Sequence, residues 1–296
     1  MIEDRSYHDD PCPTPSLSAS VAKILLSRSP RHAWMAHPRL NPEYVPVVSD
    51  VFDRGQAAHA LLLEGEDRIE VIDYPDWRTN AAKDARYAAR QLGKLPMLTH
   101  QAADVHRMAQ VAREAWSLCP DLAGYAQSTG EAEKAIYWQD RATGIWCRSK
   151  LDWLSADRRL IVDYKTTDGS ASPDDLARKI ISLGYDVQVG AYLDAVASIN
   201  PGHESKFVFL FQEVEAPFLC SWVSLDPAWL ELGIEKWKSA KKLWAECLRS
   251  NVWPAYPDRI CYLEPPAWAV ADHQSREYSR EDAFKPSAPD AKWLGA

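Results

Sequence analysis

The sequence predicts an α/β protein in which a central mixed β-sheet is flanked by helices. Segments with helical periodicity come first along the chain, followed by three strand-like segments, two helices, two strands and a last helix. The chain has 296 residues, enough for one domain with its own core, and neither an internal repeat nor a clear linker divides it.

Start and stop signals place the helices. Ser18 or Ser20 can cap the first helix, which ends before Pro30. Later helices are predicted over residues 54–64, 79–92, 99–118, 173–183, 186–198 and 227–249. Gly93 ends the second of these and Pro120 the third. Segments rich in β-branched and aromatic residues predict strands over 135–139, 146–154, 160–166, 206–214 and 218–225.

The two ends of the chain differ in composition from the centre. Residues 1–15 are polar and rich in proline and are predicted to be disordered. Residues 270–296 are polar and rich in Pro, Ala and Asp, which predicts a flexible tail. The domain itself is therefore predicted to span residues 16–269.

Composition excludes several classes of protein. No run of eighteen apolar residues is present, and the first residues lack a secretory signal pattern, so no membrane association is predicted. The six cysteines are widely scattered, which favours reduced thiols in a cytoplasmic protein. The net charge of −8 does not indicate nucleic-acid binding, although a groove can still be locally basic.

Two carboxylates and a lysine fall on one predicted hairpin. Residues 146–154 and 160–166 form its strands, and a turn centred on 157–158 sets Asp152 opposite Asp163. The period of two turns Asp163 and Lys165 to the same face. Carboxylates so close repel unless a cation lies between them, and Mg²⁺ prefers oxygen ligands. The hairpin therefore predicts a metal-dependent hydrolase site, with Lys165 polarising water or stabilising negative charge.

Other residue patterns allow two interpretations each. His59 shares a helical face with Leu62 and Leu63, so it is either a hydrogen-bonded core histidine or a metal ligand. Gln188 and Tyr192 are spaced i, i+4, so they either pack on the sheet or face the site. Glu64 and Glu133 are either supporting groups of the site or solvated side chains. The hairpin also has an alternative interpretation, in which Asp152 and Lys165 form a surface ion pair and no metal site.

An ordered set of motifs resembles the PD-(D/E)xK nuclease superfamily and, within it, the RecE-type exonuclease domain of phages and prophages. The matching residues extend over about 16–269. They are Gly55-x-x-x-His59, Glu133, Asp152, Asp163-Tyr-Lys165-Thr-Thr, Gly184-Tyr185-x-x-Gln188-x-x-x-Tyr192, Trp253-Pro-x-Tyr256 and Pro266-x-Trp268. In place of the superfamily's proline, Leu151 precedes the first aspartate, and Lys150 stands where similar domains often carry arginine.

The resemblance implies a restriction-endonuclease-like core and a Mg²⁺-dependent exodeoxyribonuclease, with Mn²⁺ as an alternative ion. It implies that His59, Asp152 and Asp163 bind metal, that Lys165 positions or activates the attacking water, and that Glu64, Glu133, Tyr185, Gln188 and Tyr192 support the site or contact DNA. The implied substrate is the end of linear double-stranded DNA, degraded 5′→3′ to leave 3′ single strands for recombination. A ring-shaped homo-oligomer and a single-strand annealing recombinase are the implied partners.

Two rival functions stay open at this stage. The same fold can carry a single-strand or endonucleolytic activity in repair or defence, since polarity and end preference depend on loops and quaternary structure. The second rival is a catalytically inactive DNA-binding module. Intact Asp152, Asp163 and Lys165 argue against it.

Overall fold

A six-stranded mixed sheet with helices on both faces forms the centre of the protein, which confirms the predicted α/β class. The computed structural model describes residues 7–45, 52–65 and 68–283. The chain divides into two units, residues 1–255 and 256–296. The sheet and the predicted site residues belong to the first unit.

The elements that the sequence predicts follow one another along the chain in the predicted order. The strands of the main sheet are β1 (Leu17–Ser18), β4 (Glu131–Gln139), β5 (Trp146–Leu154), β6 (Leu160–Thr167), β7 (Lys206–Glu213) and β8 (Cys220–Val223), and a separate parallel pair comprises β2 (Ile69–Ile72) and β3 (Leu95–Leu98). The helices are α1 (Ala19–Ser27), α2 (Pro30–Met35), α3 (Phe52–His59), α4 (Asn80–Gln91), α5 (Thr99–Leu118), α6 (Pro173–Ser182), α7 (Tyr185–Ile199), α8 (Pro227–Ser250) and α9 (Ala267–Ala283). Among the described residues, no helix is long and apolar enough to cross a membrane.

Five of the helices and strands named above were not predicted, namely β1, β2, β3, α2 and α9. Helix α2 has only six residues, too few for a helical period, although Ser29 caps it and Pro30 begins it. Strands β2 and β3 have four residues each and pair only with each other, and Pro96 in β3 removes a ladder donor. Helix α9 covers residues that the sequence predicted as the start of a flexible tail. Residues 284–296 of that tail lie outside the described residues.

The strand order leaves a gap beside β5. The order is β1-β5-β6-β7-β8, and β4 pairs along the whole other edge of β5. Strand β1 pairs with Cys147 and Arg148, whereas β6 pairs with Trp153 and Leu154. Residues 149–152 of β5 lie between these two paired stretches and pair with neither β1 nor β6. Their backbone is therefore available to side chains, and this is where the predicted site residues converge.

Two apolar clusters cover the two faces of the sheet. On one face, α1, α7 and α8 pack through buried residues that include Trp237 and Trp244. On the other face, α3 and α5 pack through residues that include Met108 and Trp116. Strand β6 is buried on both sides because Ile161 belongs to the first cluster and Val162 to the second. The polar residues that follow in β6 are thus held in a rigid, central strand.

Residues 7–15 are folded, contrary to the predicted disorder, and residues 1–6 lie outside the described residues. Asp10 is buried, and its carboxylate accepts hydrogen bonds from Ser16 N (2.8 Å) and Ser16 Oγ (2.6 Å). Arg148 Nη1 lies 3.1 Å from Asp10 Oδ1, and His37 Nε2 lies 3.2 Å from Asp10 Oδ2. Composition suggested disorder because these partners are remote in sequence, and they hold the segment against β5.

Substitution of Asp10 by alanine is expected to destabilise the protein by about 3–5 kcal/mol, because Arg148 then loses its buried counter-charge. Burial alone would raise the pKa of Asp10, but the hydrogen bond from His37 and the charge of Arg148 outweigh it and hold the pKa well below its usual range. The contribution of the carboxylate is therefore complete at neutral pH and is lost as the pH falls below about 4.

Urea denaturation of the wild type and Asp10→Ala across this pH range measures the difference directly. The exposed neighbour Asp9 provides a matched control, and Asp9→Ala is expected to leave stability unchanged. A difference between wild type and Asp10→Ala that persists undiminished at the lowest pH would contradict the ionic role.

Candidate active site

The β5–β6 hairpin has the predicted register. Trp153 pairs with Val162 and Leu154 with Ile161, which sets Asp152 in phase with Asp163. Beyond Trp153 the strands separate, and Asp152 Oδ2 accepts a hydrogen bond from the backbone N–H of Tyr164 (2.9 Å). The side chain of Asp152 thus takes the place of a ladder acceptor, and this fixes its orientation at the point where the hairpin opens.

Asp163 lies fully buried behind Lys165. The ammonium of Lys165 contacts Asp163 Oδ2, and Gln188 Nε2 donates a hydrogen bond to Asp163 Oδ1 (2.7 Å). Asp163 Oδ2 accepts no hydrogen bond of ordinary geometry, although it is inaccessible to solvent. One oxygen of this carboxylate is therefore satisfied by α7, and the other depends on positive charge.

Charge and burial together set the protonation of this pair. Burial, followed by the charge of Asp152, raises the pKa of Asp163, and the Lys165 ammonium opposes that rise. Burial alone would lower the pKa of Lys165, but the charges of Asp163 and Asp152 outweigh it and raise the pKa above its ordinary value. Lys165 is therefore a cation at neutral pH, which favours orienting water and stabilising negative charge over removing a proton.

A second group of candidate ligands lies next to this pair. His59 Nε2 lies 3.3 Å from Asp152 Oδ2 and 3.5 Å from Glu133 Oε1. One ligand atom from each of His59, Glu133 and Asp152 lies within 4.8 Å of the other two. Burial alone would lower the pKa of His59, but the charge and hydrogen bond of Asp152 and the charge of Glu133 raise it. An imidazole and two carboxylates this close form a donor set that suits a divalent cation.

Glu133 has an unusual backbone conformation. The predicted strand over residues 135–139 begins after Glu133, but Glu133 lies within β4 with a φ of 52°. Its neighbours Ala132 and Lys134 keep the register with β5, whereas Glu133 itself drops out of the ladder. Left-handed backbone at a non-glycine residue costs free energy and concentrates at functional sites. The result is a carboxylate directed at His59, with its other oxygen contacting the ammonium of Lys150.

Helix α3 holds His59 close to the sheet. Gly55 permits the approach, because a Cβ atom there would lie 2.9 Å from Thr166 Oγ1 in β6. The helix continues from His59 into a π-helical turn, Ala60–Glu64, whose first four residues are buried. The histidine is therefore anchored by an apolar turn, and this packing explains why its helical face looked like core.

Helix α7 supports the site from behind. Gln188 and Tyr192 are both buried, and the Tyr192 hydroxyl donates to the backbone oxygen of Lys150 (2.7 Å) in the unpaired stretch of β5. Gln188 holds Asp163, as described above. Tyr192 thus packs in the core, as one alternative predicted, while its hydroxyl and the Gln188 amide contact the strands of the site, as the other predicted.

A cavity of about 610 Å³ opens in front of these groups. Five of the predicted residues line it, namely His59, Glu64, Glu133, Lys165 and Tyr185. His8 and Arg68 also line it and were not predicted. His8 lies in the segment that looked disordered, and Arg68 directly precedes the unpredicted strand β2. Their contribution depends on tertiary contacts that sequence spacing does not reveal.

Comparison with known proteins supports the fold. The crystal structure of a "Putative exonuclease" from Eubacterium rectale superposes with a TM-score of 0.57 over 91% of this chain and 97% of that chain, at 13% identity. A second solved structure, SSO0001, aligns at 10% identity over 85% of this chain and 92% of that chain. Its TM-score of 0.34 is too low to support a conclusion about the fold. No curated protein matches significantly.

The sequence also matches a protein family along most of its length. Residues 18–266 match the family described as a PDDEXK-like domain of unknown function (DUF3799). This match confirms the predicted superfamily, while the narrower RecE-type assignment stays a prediction. The chain accordingly belongs to the PDDEXK-like DUF3799 family.

Proposed function

We propose that this protein is a divalent-metal-dependent exodeoxyribonuclease that hydrolyses linear double-stranded DNA from its ends. The observation that carries the proposal is the convergence of His59, Glu133 and Asp152 beside the Lys165–Asp163 pair. Three of these residues, His59, Glu133 and Lys165, line one open cavity. Membership of the PDDEXK-like family and the fold of the Eubacterium rectale protein, which is described as a putative exonuclease, support the same activity.

The residues of the chain fit a divalent cation. His59, Glu133 and Asp152 present close ligand atoms, and Asp163 Oδ2, which contacts the Lys165 ammonium, accepts no hydrogen bond of ordinary geometry from the described residues. We infer that His59, Asp152 and Asp163 are the ligands, as the sequence predicted, and that Glu133 joins them. The chemistry supplied by bound Mg²⁺, or by Mn²⁺ in its place, is activation of water and neutralisation of charge on the phosphate.

Lys165 would act on the substrate directly, and other groups of the site would position it or line its approach. Lys165 orients the attacking water and stabilises the charge that develops on the phosphate oxygens. Gln188 holds Asp163 in place, and Tyr192 fixes the backbone of β5 near Asp152. Glu64 and Tyr185 line the approach to the cavity. Contacts of this kind address phosphates, so we propose that cleavage is independent of base sequence.

The finer features of the reaction extend the same proposal. We infer 5′→3′ polarity, 3′ single strands as products for recombination, and transfer of those strands to an annealing recombinase. A ring-shaped homo-oligomer would keep the enzyme on its DNA track during end resection. These features follow from the resemblance to RecE-type exonucleases.

A cleavage assay tests the proposal. Linear duplex DNA labelled at the 5′ or the 3′ end and a covalently closed circle are incubated with the protein in Mg²⁺ or in EDTA. We expect early release of the 5′ label, an intact circle and no reaction in EDTA. Asp152→Asn is expected to lower the rate by on the order of 10²-fold or more, since it weakens metal binding.

Asp157 gives a matched control, because it is an exposed aspartate in the turn of the same hairpin. Asp157→Asn is expected to cleave like the wild type. Cleavage of the circle would replace the proposal by an endonuclease, and preference for single strands by a single-strand nuclease. Binding of DNA without any metal-dependent cleavage would leave a catalytically inactive DNA-binding module.

A further inference from the structure

Lys23 is a half-buried cation beside the active site. It lies on α1, whose residues Val21, Ala22 and Leu25 are buried in the core. In the part of the chain that the structure describes, its ammonium forms no ion pair and no hydrogen bond. An ammonium removed from water without a counter-charge is costly, and such costs are usually retained where a ligand supplies the missing charge.

The side chain of Lys23 is held in a defined position. Its aliphatic stem packs on Gly184, where an added Cβ atom would lie 3.1 Å from Lys23 Cγ and Cδ. Its Nζ lies 5.1 Å from the centroid of the Tyr185 ring, the next residue along the chain. A lysine that reached freely into solvent would show neither contact. Helices α1 and α7 together therefore aim this ammonium along the Tyr185 ring.

The same ring also contacts the lysine of the active site. Lys165 Nζ lies 5.4 Å from the Tyr185 centroid, so Tyr185 connects the two cations. Burial, and then the positive charge of Lys165, lower the pKa of Lys23 to about 8. Lys165 has its own counter-charge in Asp163, whereas Lys23 has none in the described chain. Among the described residues, Lys23 is thus a cation without an ion-pair partner next to the site, and the charge of Asp163 acts on it only from a distance.

Lys23 also faces a cavity near the active-site cavity. Tyr185 lines that cavity, and Lys23 lines a neighbouring one of about 560 Å³. A DNA strand carries a phosphate about every 3.4 Å along the helix axis, so a strand with one phosphate at Lys165 presents others nearby. The ammonium of Lys23 matches the charge of such a phosphate.

We propose that Lys23 binds a backbone phosphate of the DNA strand next to the phosphodiester that is hydrolysed. This inference rests on the proposed nuclease function and adds a positioning residue to it. Lys23 would hold the strand in register with Lys165 and would not touch the reacting atoms. Its contribution is therefore to DNA binding and to KM, with a smaller effect on kcat.

The test compares DNA binding by the wild type, Lys23→Met and Lys23→Arg, all in the Asp163→Asn background to prevent cleavage. Methionine keeps the stem and removes the charge. Loss of one phosphate contact should reduce the slope of log K against log salt by about 0.9 for duplex DNA or about 0.7 for a single strand. Lys23→Arg should retain the wild-type slope. Lys242, an exposed lysine on α8, supplies the control Lys242→Met.

Two further measurements separate binding from folding. Lys23→Met should melt at or above the temperature of its parent, because it removes an unpaired, half-buried charge. Neutral methylphosphonates placed one at a time along the strand should identify one position that weakens binding by the parent and has no effect on Lys23→Met.

The outcomes distinguish the two proposals. If the wild type cleaves DNA but Lys23→Met keeps the full salt slope and the methylphosphonate sensitivity, the Lys23 proposal is wrong and the nuclease proposal stands. A lower melting temperature together with an unchanged slope would show that Lys23 acts in packing alone. Absence of DNA binding and cleavage by the wild type would refute the proposed function itself.

Discussion

Replacement of Lys165 by methionine is expected to lower the rate of DNA hydrolysis by about 10²- to 10⁴-fold, because the positioned cation beside the reacting phosphate is lost. Binding of Mg²⁺ should survive, since Lys165 is not among the oxygen and nitrogen donors that converge at His59. Single-turnover rates with end-labelled duplex measure the first effect, and calorimetric titration with Mg²⁺ measures the second.

Asp163 is buried and contacts Lys165, so the substitution of Lys165 also affects this carboxylate. Lys165→Met alone leaves that carboxylate without its cation, so the variant can lose stability as well as activity. The double variant Asp163→Asn/Lys165→Met restores charge balance and should melt closer to the wild type than Lys165→Met does. It should also stay inactive. A Lys165→Met variant within tenfold of the wild-type rate would contradict a catalytic role for the lysine.

The second large effect is expected for the stability of the protein when Gly233 is replaced by alanine at the crossing of α7 and α8. A Cβ atom at Gly233 would lie 2.4 Å from the backbone oxygen of Asp186, and one at Gly190 would lie 2.6 Å from the backbone oxygen of Gly233. Alanine normally stabilises a helix relative to glycine, but here the helices must separate. We expect Gly233→Ala to destabilise the protein by about 1–3 kcal/mol, the usual cost of overpacking.

Gly233→Ala should also reduce activity, because α7 carries Gln188 and Tyr192 against the site. Chemical denaturation and the cleavage rate under native conditions measure the two effects. Gly169 is the matched control, since an added Cβ atom there meets nothing within 4 Å and its φ is not positive. Equal stability of Gly233→Ala and Gly169→Ala would show that the helices do not pack as closely as the structure has them.

The central hairpin could be predicted because its information is local. The apolar pattern and the turn around Asp157 determine the register, and the structure has Trp153 opposite Val162 as that register requires. Helices α1, α4 and α5 also follow their predicted bounds, since caps such as Ser18 and Thr79 and a long apolar face mark them. Local chemistry was enough for these elements.

The remaining features depend on contacts between distant residues. Glu133 looked like a solvated or supporting carboxylate, because no sequence pattern indicates that a residue inside a strand has a φ of 52°. Residues 7–15 looked disordered because the partners of Asp10 lie at His37 and Arg148. Lys23 gave no signal at all, since a lysine on an amphipathic helix is usually solvated. In each case the tertiary environment decides the role.

The packing of residues 7–15 against β5 determines where the chain can be shortened. Composition predicted that the domain starts at residue 16. However, Asp10 is hydrogen-bonded to Ser16 and forms an ion pair with Arg148, which lies four residues before Asp152 in β5. His8 also lines the cavity. A truncation at residue 16 would remove part of the cavity wall and expose Arg148. The smallest fragment that keeps an intact active site therefore begins upstream of His8, within the segment that looked dispensable.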